Sequence, residues 1–554
     1  MDARERDLLA RLARFCGIAE GYHDIWGKYH EASDETRRAL LRAMDVDVAG
    51  VQAMEGEVRC REEGRQSLLC EPVAVAAEGE NPSLPLNLAE VESESSVEVR
   101  NEATGELLQA RIVGAGEGGG RLEIERPLEP GLYPLRVSAR SPSGAVRSSS
   151  TRLIVSPARG YEPGALAEGG RIWGVNLPLY GLRSGRNWGI GDFEDLRTAV
   201  SWVAGLGGDL VGLLPLHALF NAEPYGVSPY YPSSRLFLNP IYIAVDRVPE
   251  AADPEGRSLL ESGELRTRIE ELRSAEFVDY PGVWALKRAA LERLYDLFLN
   301  RHGADSDRRR AFDGWRRAQG AALEDFATFC ALRDHLARHE GRTGVWQEWP
   351  EEFRTPRSEG VTRFRGEHSG EVGFHAYLQW IAHEQLAGAG EAACDGRMGV
   401  GLYLDMALGV DPSGADAWRF QDVLARGASA GCPPDPFSLL GQRWGLPPPI
   451  PERHRGSGYE YFLETVGRTA ADVGALRIDH VLALWRLFWV PGELPPSEGV
   501  YVFERADELL ALLRLVSRKA RCLIVGEDLG TIPPEVRKEL MASGFCSYRV
   551  LIFE

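Results

Sequence analysis

Two short segments near the end of the chain each place a carboxylate where an apolar run stops: ALRIDH, closing on Asp479 and His480, and CLIVGEDLG, which carries Glu527 and Asp528. Paired carboxylates are the working parts of glycosidic bond chemistry, in which one group attacks or activates water while the other protonates the leaving oxygen. Arg477 and Asp479 are separated by two, so on a strand their side chains point to the same side. A guanidinium fixed there holds the carboxylate ionised through charge-assisted hydrogen bonds, which is what a nucleophile needs. Glu527 must instead carry a proton when it acts as an acid. That requires a pKa nearer neutrality, and Asp479 and Asp528 are the charges that could raise it. A gap of ~5 Å between the carboxyls goes with retained anomeric configuration and a wider one with inversion; the sequence leaves this open. Either acid by itself also reads as a helix N-cap or a surface charge.

Such acids need elements that bring them together. Runs like Cys522 to Val525 are too short for a self-burying helix, and their Leu, Ile and Val content suits strands covered on both faces of a parallel sheet. Acids just beyond such strands sit at the C-terminal rim of a β/α barrel, where active sites lie. Six candidate strands follow: RIWGVNLPLYGLR, DLVGLLPLHAL, GLYLDMALGV, ALRIDHVLAL, CLIVGEDLG and CSYRVLIFE, with a helix over Phe193 to Leu206 joining the first two. The fold class is therefore α/β, a (β/α)8-type barrel over residues 161–554 that lacks its last strands, with a helical insertion at about 250–395. Within that insertion, Leu291, Leu294, Tyr295, Phe298 and Leu299 recur at helical spacing and predict a core-facing stripe.

Two smaller regions precede the barrel. Residues 1–70 read as a helical module, with Leu8, Leu12, Phe15 and Cys16 at helical spacing and Ser33 as an N-cap ahead of Leu40, Leu41 and Met44. Residues 71–160 turn to short alternating runs, VEVR, RLEIE and YPLRVSA, between Gly, Pro and Ser turns, which predicts a β-sandwich. The GAGEGG of residues 114–119 fits GxGxxG, but a dinucleotide site needs a following helix. Here RLEIERPLEPG continues into another strand, so a hairpin loop is the reading. SPARGYEPG, residues 156–164, reads as a linker.

Composition narrows the function classes. With 63 basic and 82 acidic residues the formal charge is −19, which disfavours nucleic acid as a partner, whereas neutral sugars are compatible. The 44% apolar and 26% charged shares fit a globular protein. Eight scattered cysteines without a CxxC pair suggest neither a zinc site nor a disulfide framework, and point to reduced thiols in the cytoplasm. No apolar h-region and no apolar stretch near ~20 residues is present, so neither secretion nor a membrane partner is expected.

At this level of detail the sequence resembles the 4-α-glucanotransferases known as amylomaltases or disproportionating enzymes, of the longer bacterial type. The resemblance is carried in order by SPYYPSSRLFLNPIYI (228–243), GLYLDMALGVDPSGADAW (401–418), GCPPDPFSLLGQRWGLPP (431–448), GALRIDHVLALWRLFWVP (474–491) and GEDLGTIPPEVR (526–537). It implies a maltodextrin or other α-1,4-glucan substrate, Asp479 as nucleophile, Glu527 as acid/base, and sugar contacts from Tyr230, Asp405, Trp444, Arg477 and His480. It implies no cofactor and no metal. For Tyr230 and Trp444, stacking on glucose rings stands beside a plain core role; for Asp405, acceptance from sugar hydroxyls stands beside a helix cap. His480 could donate to a sugar or satisfy a buried carbonyl. GRNWGIGDFEDL (185–196) also fits the family and reads as a structural loop-to-helix junction. The family carries a third acid in a His-Asp pair after the seventh barrel strand; the sequence printed ends at Glu554 with no such pair after Glu527, so the expectation is a barrel without its seventh and eighth strands. The remaining alternatives are an amylase-like hydrolase and a non-catalytic maltodextrin-binding protein. The oligomeric state is not readable.

Overall fold

The computed structural model describes residues 2–87, 96–113, 120–140, 146–223, 225–341, 345–436, 438–530 and 532–553. The chain divides into two compact units, one of residues 162–421 and 468–479, the other of residues 1–161, 422–467 and 480–554.

The unit of residues 162–421 and 468–479 is built on four parallel strands in the order Gly174–Leu177, Leu210–Leu213, Gly401–Met406 and Ala475–Ile478. Val211, Leu402, Leu404, Leu476 and Ile478 are all buried, as strands covered on both faces require. Gly212 leaves room for the Asn176 side chain: a Cβ there would lie 1.8 Å from the Asn176 side-chain oxygen, which would have to move aside. The helix Phe193–Gly205 crosses between the first two strands, and Asp192 caps it in a reciprocal box with Asp195. Arg186 bridges Asp195 (3.0 Å) and Asp246 (2.7 Å) and also pairs with Asp192, so GRNWGIGDFEDL is the structural junction its sequence suggests.

Helices between Pro254 and Asp395 form the insertion. Leu291, Leu294, Tyr295 and Phe298 of the helix Tyr280–Arg301 are buried as predicted, but Leu299 is 39% exposed. The reason is angular: at 100° per residue, Leu299 lies at the margin of the stripe that Leu291 and Phe298 define. Among the described residues no helix is long and apolar enough to cross a membrane.

In the second unit, helices Ala3–Phe15, Asp34–Ala43 and Val51–Ser67 occupy the first stretch of chain, and the Ser33 hydroxyl caps the second by accepting from the Thr36 N–H. Between the first two helices runs an antiparallel ribbon, Gly21–His23 with Tyr29–Glu31, where the sequence reads as helical. Asp24 decides it locally: its side chain accepts from the N–H groups of Trp26 and Lys28, both at 2.9 Å, and Gly27 takes φ +83° to close the turn.

From Val73 to Ser156 a five-stranded and a three-stranded sheet share one core, with Leu84, Leu122 and Ile124 facing Val99, Leu135, Val137 and Leu153. The glycine-rich residues 114–119 lie outside the described residues; the strands on either side, Ala110–Val113 and Gly120–Ile124, pair antiparallel. Residues 156–161, which read as linker, are tied down. The Ser156 hydroxyl donates to the Ala511 carbonyl (3.2 Å), Arg514 donates to the Pro157 carbonyl (3.0 Å), and the Tyr161 N–H donates to the Ser517 hydroxyl (2.9 Å).

This unit also holds an antiparallel sheet of Gln442–Arg443, Ala428–Cys432, Arg486–Pro491 and Val500–Phe503, and a parallel pair, Leu523–Gly526 with Cys546–Ser547. Each of the six segments that read as strands thus contains one, though shorter than its apolar run. ALRIDHVLAL is the largest departure: the strand stops at Ile478, Val481–Leu484 is a 3-10 turn, and Arg486–Pro491 belongs to the antiparallel sheet.

Candidate active site

The first cluster grows from two neighbouring parallel strands whose register sets Asp405 directly beside Arg477. Two nitrogens of Arg477 serve two acids: Nη1 donates to Asp405 Oδ1 at 2.7 Å and Nη2 reaches Asp479 Oδ1 at 2.9 Å. The Tyr230 hydroxyl donates to the other oxygen of Asp405 at 2.7 Å. The sequence points to Arg477 as the group that steadies Asp479; the same guanidinium fixes Asp405 as well, each acid taking a different nitrogen of the planar fork. Burial works against the charge on Arg477, and the two carboxylates outweigh it, so the cation is held firmly protonated.

Asp405 pays for its position. Burial pushes its carboxyl up to about 6, against the lowering effect of Arg477 and the Tyr230 hydroxyl. Burial and then the Asp405 charge raise the Tyr230 phenol, so it remains a donor. A carboxyl raised in the folded state binds its proton more tightly there than in the unfolded chain. Its stabilisation is complete below the ordinary value near 4 and is lost as pH rises through about 6. The variant Asp405→Asn does not titrate, so its stability relative to the parent is expected to rise by up to about 3 kcal/mol between roughly pH 4 and pH 6. Urea unfolding of both proteins across that range checks this; parallel curves would disprove it.

Tyr230 is placed by a clamp between two of the sequence blocks. The Asp411 N–H donates to the Pro232 carbonyl (2.7 Å), the Asp416 N–H to the Ser233 carbonyl (3.1 Å), and the Arg235 N–H to the Asp416 carboxylate (2.8 Å). Arg235 also donates through Nη1 to the carbonyls of Ala407 and Leu408, just past the strand that carries Asp405. Sequence reasoning missed Arg235 and Asp416 as positioning residues. Their only signal is membership of SPYYPSSRLFL and DPSGADAW.

The second cluster surrounds Glu527, which follows the strand Leu523–Gly526. Its Oε2 accepts the His480 N–H at 3.0 Å, its Oε1 accepts the Leu529 N–H at 2.8 Å, and its own carbonyl accepts the Val481 N–H at 3.0 Å. His480 takes φ +48°, a left-handed conformation uncommon for a residue with a Cβ and concentrated at functional sites. Its ring meets Trp444 edge-on, with centroids 5.1 Å apart at 80°. Trp444 is half-buried, with its indole N–H on Gln442 at 3.0 Å, and the adjoining Gly445 N–H donates to the Ser429 hydroxyl at 2.7 Å.

Asp528, next to Glu527 in the sequence, has partners of its own. It is buried, one oxygen takes the Arg537 guanidinium (2.8 Å), and the other accepts the Tyr548 N–H (2.9 Å). The structure thus gathers Tyr230, Asp405, Arg477 and Asp479 into one cluster and Trp444, His480 and Glu527 into another, and Asp479 and His480 are consecutive residues.

Comparison with known proteins gives these clusters a context. A family model described as 4-alpha-glucanotransferase matches residues 177–554. A 4-alpha-glucanotransferase of Mycobacterium tuberculosis is 34% identical over 567 residues, covering 99% of this chain and 75% of the relative. One from Haemophilus influenzae is 32% identical over 559 residues, with the same shares. The crystal structure of amylomaltase from Corynebacterium glutamicum superimposes with a TM-score of 0.83 at 30% identity, covering 99% of this chain and 76% of that one. The fold is accordingly amylomaltase-like, mixed α/β with parallel strands. A match that spans more than half of the chain, joined to relatives above 30% identity along almost all of it, means that this chain belongs to the 4-alpha-glucanotransferase family.

Proposed function

We propose that this enzyme transfers α-1,4-glucan segments between maltodextrins by a retaining double displacement, with Asp479 as nucleophile and Glu527 as acid/base. The observation that carries the reading is the arginine fork: Arg477 reaches Asp479 at 2.9 Å while bonding Asp405 at 2.7 Å, which sets a fixed cation against the proposed nucleophile. Asp479 attacks the anomeric carbon as Glu527 gives its proton to the leaving glycosidic oxygen. A glycosyl ester of inverted configuration forms and the first glucan leaves. Glu527, now a carboxylate, takes the proton from the 4-hydroxyl of an incoming glucan, which attacks the same carbon and restores the original configuration.

Tyr230, Asp405, Arg477, Trp444 and His480 are assigned to substrate contact. Each Asp405 oxygen has a lone pair beyond those used by Tyr230 and Arg477 and can accept from a sugar hydroxyl. The half-buried indole of Trp444 offers a face for a glucose ring. No organic cofactor or metal is needed for these steps. The reading keeps the divisions at 1–70, 71–160 and 161–554 and the β/α barrel class, supported by the amylomaltase-like fold. A reducing, cytoplasmic setting belongs to the same reading.

Incubation with maltotriose is expected to give glucose and a ladder of longer maltodextrins, with reducing ends constant. A steady rise in reducing ends without a ladder would make the protein a hydrolase, and binding without turnover a maltodextrin-binding protein; either result overturns the transferase reading.

A further inference from the structure

We propose that His335, His368 and Glu371, in the helical insertion, form a binding site for a late first-row divalent metal of the Zn2+ class, which staples two helices. His335 lies near the end of the helix Asp307–Glu340; His368 caps the helix Ser369–Asp395, and Glu371 is in its first turn. One ligand atom from each of the three lies within 4.8 Å of the other two. His368 Nδ1 and Glu371 Oε1 are 2.9 Å apart. The edge of a tetrahedron with bonds of ~2.0–2.1 Å is ~3.3 Å, so a small opening of that pair admits an ion.

A second observation points the same way. His335 Nδ1 is shielded from solvent and has no hydrogen-bond partner among the described residues, which is costly for a ring nitrogen unless something supplies a bond. The surroundings suit a ligand set. The Phe364 ring stacks on His368 at 4.3 Å, fixing its plane, and Arg338 approaches the far oxygen of Glu371 at 3.4 Å, leaving the near one to the ion. His339 lies one turn beyond His335, ring centroids 4.6 Å apart, and is the nearest candidate for a fourth ligand. Two or three imidazoles with one carboxylate favour zinc, nickel or copper over magnesium or calcium.

The test uses the whole chain, first stripped with a chelator, then titrated with Zn2+ in competition with a chromogenic chelator. One Zn2+ per chain is expected, with affinity reduced at least ~10-fold in His335→Ala and in Glu371→Gln, and unchanged in His23→Ala, an exposed histidine elsewhere. The parent's unfolding temperature should rise with Zn2+, while that of Glu371→Gln should not, although the two should unfold alike in chelator. Failure to bind one equivalent, or equal affinity in the parent and both cluster variants, would reduce the cluster to a hydrogen-bonded pair beside a histidine and overturn the proposal.

Discussion

Asp479→Asn is expected to slow the disproportionation of maltotriose by at least ~10³-fold, because without a carboxylate at that position no glycosyl ester can form. Asparagine keeps the shape of the side chain and an oxygen for Arg477 Nη2, which lies 2.9 Å from Asp479 Oδ1 in the parent. Unfolding is therefore not the expected cause of the loss, and an unchanged thermal midpoint should accompany it. Rates are read from glucose release and from the growth of the ladder. Activity within tenfold of the parent would remove Asp479 from the role of nucleophile.

Glu527→Gln should behave differently with different donors. With maltotriose the acid must protonate a poor leaving group, and a fall of ~10²–10⁴-fold is expected. With a maltosyl donor whose leaving group departs unprotonated, most of that loss should be recovered. Recovery will be incomplete, for a structural reason. Glu527 accepts the His480 N–H on one oxygen and the Leu529 N–H on the other. Glutamine offers only one oxygen, so one of these two backbone donors loses its acceptor and faces an amide NH2 instead. A residual deficit of roughly tenfold with the activated donor is the expected mark of that mismatch. Equal losses on both donors would show that Glu527 does not act as the acid.

The candidate residues are more legible in the sequence than the scaffold that holds them. Asp479, Glu527 and Arg477 stand out because carboxylates at the ends of apolar runs, and an arginine two residues from one of them, are local patterns. The pairing of Arg477 with Asp405 is a fact of strand register between segments far apart in the chain, which no local pattern encodes. The same limit hides Arg235, whose role rests on carbonyls at Ala407 and Leu408. Apolar runs locate the parallel strands but overrun them, because composition cannot register the left-handed turn at His480 that ends one strand and redirects the chain. The ribbon after Phe15 reads as helical because one aspartate and one glycine settle it against the surrounding periodicity. The tethering of residues 156–161 is invisible in the sequence because Pro and Gly look alike in a free linker and in a chain pinned to a helix.

The bond from the His480 N–H to Glu527 also makes that amide a spectroscopic witness. Its proton lies against the oxygen whose charge changes each time Glu527 gains or gives up a proton, so its nuclear shielding should follow that event with no probe attached. Titrating the amide resonance of His480 in a selectively labelled protein would follow the charge on Glu527 directly. Repeating the titration in Asp479→Asn would then measure how strongly the charge on the preceding residue is felt there.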